Sequence, residues 1–322
     1  MLRRTRVSEN FRRARAALCC ALLVFAALGA SCGGQSGGGD IGASSGGSSS
    51  SAPGARDARP QRIISLTPST TEILAGVGAF ARVVAVSDYC TYPPEVKDLP
   101  RVGGWSNPNL EQLAALRPDL VVFWDSQAQF VKDKIEAMGI RTLSVPSRSL
   151  EDAFTAIEQV GRATGNEAEA ARLLRQTRET IETVRLRAAP LPRRRVLCVV
   201  DRVPGTLRDL YTAADGSFLV ELIETAGGKS IAPPAQGGWG KLQKEAVLAL
   251  DPDVIIDLMI HKTEGKFAED TLAVWRELPA LRAVREGRVY ALREETMLHP
   301  SQFVGDTARR FAELIHPEVF KQ

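Results

Sequence analysis

The 322-residue chain is poor in cysteine and histidine, with five of the first and three of the second. Cys19 and Cys20 lie in an apolar run near the N-terminus and Cys32 follows it, so only Cys90 and Cys198 remain for a folded part. That excludes a disulfide-stapled scaffold. Cys198 sits inside RVLCVV, the pattern of a buried strand in which a thiol serves as a small hydrophobe, and no bridge to Cys90 is expected. His261, His299 and His316 are far apart, and no CxxC or Cys/His spacing of a zinc site occurs. No HExxH, P-loop, nucleophile elbow or dinucleotide fingerprint stands between an expected strand and an expected helix. The equipment of hydrolases, nucleotide-driven motors and dehydrogenases is missing. A non-enzymatic binding protein is the simplest reading, and an enzyme or sensor reusing the same scaffold is the alternative from another class.

What is present begins with an export pattern. Arg3, Arg4, Arg6, Arg12, Arg13 and Arg15 precede an apolar run from Ala16 to Ala30. That run is shorter than the roughly twenty residues of a membrane span and suits a signal peptide. Leu28-Gly29-Ala30-Ser31-Cys32 resembles the processing site of bacterial lipoproteins, with the Leu four rather than three residues ahead of the Cys; Cys32 would then carry the lipid. The following GGQSGGGDIGASSGGSSSS cannot bury enough surface to fold and reads as a flexible tether, which needs an anchor. The expected product is exported and membrane-anchored, facing the periplasm or the cell exterior. The six Arg and one Glu ahead of Cys32 supply +5, so the whole-chain charge of +3 becomes −2 once they are removed. No basic footprint for nucleic acid is left.

A repeat organises the rest. Residues 103–122, GGWSNPNLEQLAALRPDLVV, and 237–256, GGWGKLQKEAVLALDPDVII, superpose without a gap at an offset of 134, with Gly, Gly, Trp, Glu, Ala, Leu, Pro and Asp in register. Each copy reads as a Gly-Gly turn, a Trp, a short helix starting near Asn107 or Lys241, a Pro-Asp stop and the β-branched run of a buried parallel strand. Two copies at so long a period mean two related lobes rather than a solenoid. Between them, Glu167 to Ala189 contains neither Gly nor Pro, is rich in strong helix formers, and is flanked by Gly165-Asn166 and Pro190. At about 1.5 Å per residue this helix is roughly 33 Å long. Leu173, Leu174, Thr177, Ile181 and Val184 form its one apolar stripe. The expected fold is α/β: two Rossmann-like lobes with parallel sheets joined by one long α-helix. Expected boundaries are 1–31 for the signal, 32–61 for the tether, 62–165 for the N-terminal lobe, 166–189 for the helix and 190–322 for the C-terminal lobe. Strands are expected at Ile63–Leu66 and Val83–Val86, around a helix from Thr70 to about Val77.

Several runs carry a resemblance. ISLTPSTTEILAGVG, SDYCTYPPEV and GGWSNPNLEQLAALRPDLVVFW, continued by GSFLVELIETAGG and GGWGKLQKEAVLALDPDVII, look like the cobalamin-type branch of the periplasmic solute-binding proteins of ABC importers. That superfamily also binds ferric siderophores and haem. The resemblance implies two lobes on a single long helix, no intrinsic cofactor, a monomer, and delivery of a metal chelate to an ABC permease with its ATPase subunits. Cobalamin is the expected chelate, with a ferric siderophore or haem as the alternative. A helix spanning both lobes resists wide hinge bending, so limited closure is expected. A bare zinc or manganese ion would need three or four converging ligands.

Ligands of open α/β sheets bind beyond the carboxyl ends of the strands. Trp124 ends the strand LVVFW, Tyr89 follows VVAVSD, and Trp105 and Trp239 hold equivalent positions in the repeat. A cleft there carries aromatics on both walls and suits a large, flat, partly apolar ligand. Arg202, after VLCVVD, is placed to meet ligand carboxylates or amide oxygens, and His299, beside Met297 and Glu295, to approach a metal centre. The family presents one glutamate per lobe to arginine pockets on the permease, and Glu72 and Glu224 are the matching positions. Ser69-Thr70-Thr71-Glu72 also fits a capping box, whereas Glu224, just before Gly227 and Gly228, opposes its helix dipole. Docking requires both glutamates to be exposed.

Overall fold

In the computed structural model, which describes residues 59–258 and 270–321, the sequence resolves into two sheets bound by helices. The signal segment, Cys32, nearly all of the tether, and His261 lie outside the described residues. The first lobe alternates β1 (Ile63–Ser65), α1 (Pro68–Gly76), β2 (Val83–Val86), α2 (Leu110–Ala115), β3 (Leu120–Trp124), α3 (Ala128–Glu136) and β4 (Thr142–Val145). Its strands form an all-parallel sheet of order β2-β1-β3-β4. β1 is buried throughout and β3 up to its last residue, as strands sandwiched between helices must be. The chain order reverses between β1 and β3, which puts a ready crevice at their carboxyl ends.

Helix α4 (Leu150–Thr164) starts at a true capping box: Ser149 accepts from the Asp152 N–H while the Asp152 carboxylate accepts from the Ser149 N–H. The box read at Ser69–Glu72 does not form. Thr67, not Ser69, is the N-cap of α1, and no side chain caps that helix. The long helix α5 (Glu167–Ala188) follows, one residue shorter than expected, with Ala170, Thr177, Ile181, Val184 and Ala188 buried.

The second lobe comprises β5 (Arg194–Asp201), β6 (Leu210–Ala213), α6 (Phe218–Thr225), β7 (Gly228–Ser230), β8 (Trp239–Leu242), α7 (Lys244–Leu250), β9 (Val254–Asp257), α8 (Thr271–Trp275), α9 (Arg282–Arg285), β10 (Val289–Ala291), α10 (Val304–Ile315) and α11 (Pro317–Phe320). Its sheet runs β10-β9-β5-β6-β8, with β7 also pairing with β5. This sheet is mixed rather than parallel, because β6 is antiparallel to both β5 and β8. The reason is connection length: residues 202–209 are too few for the crossover of about a dozen or more residues that a parallel neighbour requires.

Helix α5 packs on α1 and α4 of the first lobe and on α6 and α10 of the second. One apolar cluster joins Phe154 of α4, Ile181 and Val184 of α5, Phe218 and Ile223 of α6, and Phe311 of α10. The lobes therefore share a core behind the helix rather than merely touching across a linker.

Candidate functional site

The carboxyl edges of the two sheets face each other. Thr91, in the loop leaving β2, donates its hydroxyl to Glu295 Oε2 at 2.6 Å, and Glu295 follows β10. Next to it the ring of Tyr92 stands edge-on to that of Phe303, with centroids 5.0 Å apart. Loops that leave the carboxyl ends of both sheets meet here, which makes the space between them the cleft that strand topology requires.

The first wall is built on the long β2–α2 loop and the end of β3. Tyr89 is 54% exposed, the most open aromatic among the described residues. Trp105 is half-buried: its ring lies 5.2 Å from that of Phe130, and its carbonyl accepts from Gln127 Nε2 at 2.6 Å. Trp124 is also half-buried and donates its indole N–H to Ser69 Oγ at 2.6 Å. Gly103 takes the left-handed conformation (φ +93°) that turns the loop back, and an added Cβ would lie 3.2 Å from the main chain of Asn107 and Asn109.

The counterpart on the second lobe is the β6–β8 ribbon. β6 pairs only with Val199 and Asp201 at the far end of β5, so the ribbon stands at the carboxyl edge of its sheet. Trp239 (42% exposed) and Lys241 alternate on its outer face, and Tyr211 (44% exposed) lies opposite Lys241. The Lys241 ammonium sits 5.6 Å from the Tyr211 ring centroid and 2.8 Å from Asp209. Sequence reasoning placed a helix near Lys241 and overlooked Tyr211. The alternation of buried Leu210, exposed Tyr211 and buried Thr212 was the available signal, but it is too short to identify without the pairing to β8.

Four expected site residues are placed otherwise. Arg202 is 1% exposed, with Nε 3.0 Å from Asp257 Oδ2 and Nη1 donating to the Thr206 carbonyl at 3.1 Å; the Trp275 indole joins the same Asp257 oxygen at 2.7 Å. A buried guanidinium needs such partners, and this one is part of the lobe's interior rather than a ligand contact. His299 is 7% exposed and its Nδ1 lies 2.6 Å from Glu72 Oε1, so the ring is buried and that nitrogen is committed to the carboxyl group rather than presented to the cleft. Glu72 itself is 1% exposed and its other oxygen accepts from Ser301 Oγ, which removes it from any docking surface. Glu224 is exposed, but it lies at the end of α6, four residues before the start of β7, whose Gly228 pairs with Arg194 at the start of β5. That is the amino edge of the sheet, the edge away from the cleft.

The two thiols are inert. Cys90 and Cys198 are free and buried, and burial pushes both pKa values up; the nearby Asp257 adds to the effect at Cys198. His316 is buried with Nε2 3.2 Å from the Gly227 carbonyl. Among the described residues no group of three or more His, Cys, Asp or Glu converges as a metal site. Surface grooves of about 450 and 420 Å³ lie along α5, one toward α10 and Phe320 and the other toward α6, and neither is lined by the cleft loops.

A sequence profile described as periplasmic binding protein matches residues 63–296. An ABC transporter substrate-binding lipoprotein of Bacillus subtilis (strain 168), itself described as uncharacterized, is 30% identical over 267 residues, covering 82% of each chain. The crystal structure of the periplasmic vitamin B12 binding protein of Vibrio cholerae superposes with a TM-score of 0.69 at 25% identity, over 82% of this chain and 99% of that one. A periplasmic heme binding protein from Pseudomonas aeruginosa shares the fold with a TM-score of 0.71 at 23% identity, over 81% and 94% of the two chains.

Proposed function

The chain belongs to the periplasmic binding protein family of ABC import, and on that basis we propose that it captures a cobalamin-like corrinoid between its lobes and delivers it to an ABC permease. The observation that carries this reading is the set of exposed and half-buried aromatics on both lobes, Tyr89, Trp105 and Trp124 at the carboxyl edge of the first sheet and Trp239 with Tyr211 on the ribbon at the carboxyl edge of the second. Flat aromatic surface on both sides suits a macrocycle whose metal is already chelated. The likeness to a vitamin B12 binding protein is in keeping with a corrinoid, and the likeness to a heme binding protein keeps haem as the second reading.

A second reading, haem or a ferric siderophore, rests on the exposed phenol of Tyr89, since phenolate oxygen is a ligand that ferric haem accepts. The cargo is substrate in either case, and no step of turnover is assigned to the protein. The lipid anchor at Cys32 belongs to the same proposal: it would hold the receptor at the membrane beside its permease.

Docking moves to a different pair of carboxylates. Glu111 and Glu245 recur at the same place in the repeat, each in the first turn of its helix, and both are exposed. Because α2 and α7 each run into a parallel strand from its amino side, their N-termini lie near the carboxyl edge, flanking the cleft mouth. Acidic residues in a first turn also favour the helix dipole, but that alone does not require exposure at matching points of both lobes.

Titration calorimetry with cyanocobalamin, haem and a ferric siderophore tests the ligand. Saturable one-to-one binding of cyanocobalamin that weakens in Trp239→Ala supports the corrinoid reading. Silence toward it with tight binding of a ferric chelate would transfer the site to iron, and no binding of any of the three would remove the chelate reading altogether.

A further inference from the structure

One side of the lobe junction is closed by a buried polar knot. The carboxyl group of Glu72, on α1, lies with one oxygen 2.6 Å from His299 Nδ1 while the other accepts from Ser301 Oγ at 2.5 Å. Gln302 Nε2 donates to the Glu72 carbonyl at 2.9 Å. All three partners come from the segment between β10 and α10, so every bond runs from the first lobe to the second. The long helix joins the same point, where Thr177 Oγ1 reaches the Gln302 carbonyl at 3.5 Å. The approach is close: a Cβ on Gly76 would lie 2.8 Å from Leu173 and 3.1 Å from Gln302. Toward the rim the contact continues as Thr91 to Glu295 and Tyr92 to Phe303.

The other edge of the first sheet is joined differently. There the Phe218 N–H donates to the Arg148 carbonyl at 2.7 Å, in the loop after β4, and the Leu150 N–H donates to Glu221 Oε2 at 3.1 Å. Phe218, Phe154 and Ile181 belong to the continuous core behind this seam. Opening it would separate packed apolar surface. Opening the Glu72 side breaks mainly side-chain hydrogen bonds and one aromatic contact.

We propose that Glu72 is the keystone of a latch: the lobes swing about the seam at Arg148 and Phe218, and the Glu72–His299–Ser301 cluster limits how far the β2 and β10 sides part. A buried carboxyl group is costly unless every oxygen is met, and here both are met from the opposite lobe. An apolar residue would fill the same space without fixing the lobe angle, whereas directional bonds fix it. Cargo exchange then requires these bonds to break. The latch does not depend on which chelate is bound.

Pulsed dipolar EPR reads the latch directly. Nitroxides go on Ser106→Cys and Lys244→Cys, exposed positions on opposite lobes, in the exported chain carrying Cys32→Ser; Cys90 and Cys198 are buried. Without ligand, the parent gives one distance population. Glu72→Ala adds a second, longer population of more than about a tenth, the range of a minor conformer made visible. Ser301→Ala, which keeps the His299 contact, gives the same change in smaller measure. Cyanocobalamin, used as the probe, leaves Glu72→Ala about tenfold faster, as expected when the closed state is less populated. An unchanged distance distribution in either variant overturns the proposal, even with a lowered melting temperature, because Glu72 would then be an ordinary packing residue. If Glu72→Ala does not fold, Ser301→Ala and Glu72→Gln decide. Failure of the parent to bind cyanocobalamin would strike the corrinoid reading alone, since the distances are read without ligand.

Discussion

In the first lobe the residues after the Gly-Gly turn run as a loop as far as Asn109; in the second the corresponding residues form strand β8, paired with β6. Beyond that point the two copies of the repeat become the same again. Arg117 (φ +46°) and Asp251 (φ +38°) are both left-handed at the end of their short helix, immediately before Pro118 and Pro252. The next residue does the same work twice: Asp119 accepts the N–H groups of Gln61 and Arg62 ahead of β1, and Asp253 accepts the Arg195 N–H in β5. The recurring Pro-Asp is thus a corner that ends a helix and aligns the neighbouring strand, and its chemistry does not depend on the ligand. The difference lies at the residues proposed to meet the ligand. Trp105 is braced by Phe130 and Gln127, whereas Trp239 stands on an exposed ribbon. The scaffold is repeated, and the two walls are built separately upon it.

The largest test of that contrast concerns the second lobe alone. Arg202→Ala leaves Asp257 buried without its guanidinium and should cost about 3–5 kcal/mol in urea unfolding, since a broken buried pair strands a charge. A loss near zero would mean that the pair is not the interior brace described above. Between the walls, Trp239→Ala should weaken cyanocobalamin binding by about 2 kcal/mol, on the scale of a buried aromatic anchor. Trp105→Ala should weaken it less per unit of exposed ring but lower stability more, because its brace is lost with it; calorimetry and thermal unfolding of both variants separate the two effects. Equal losses of affinity and stability in the two variants would erase the distinction.

The corners should behave alike. Asp119→Ala and Asp253→Ala should each cost about 1 kcal/mol, the net value of hydrogen bonds near solvent. A large inequality in denaturant midpoints would show that the repeat is only formal. Smallest in the isolated receptor is the effect of Glu111→Ala with Glu245→Ala: stability within about 0.5 kcal/mol of the parent, as for surface sites, with unchanged ligand affinity. The same double variant should lose stimulation of the permease-coupled ATPase in reconstituted vesicles. Full stimulation would return the docking question to other surfaces.

The legible parts of the sequence were those whose cause is local. The long helix, the strands at Ile63, Val83 and Leu120, and the repeat itself follow from propensity, periodicity and punctuation, and they lie within a residue or two of the expected positions. The placement of Tyr89, Trp105 and Trp124 at the carboxyl edge of the first sheet was legible, because they follow strands or the Gly-Gly turn, and Trp239 was found through the repeat. Tyr211 was not, since a four-residue strand shows its alternation only once its partner is known.

Glu72, His299 and Arg202 show the opposite case. Each is polar; Arg202 and His299 were assigned to a ligand on the strength of their type and their neighbours in the chain, and Glu72 to a docking surface through the family resemblance. Glu72 and His299 are 227 residues apart and meet only because α1 and the segment after β10 are brought to one junction; Arg202 and Asp257 are 55 apart and meet across two adjacent strands. The sequence by itself determined the helices and parallel strands that form the scaffold, the twofold plan and the family. Only the tertiary structure decided which charges are buried in pairs, because burial of a charge depends on partners from distant segments, and neither propensity nor periodicity carries that information.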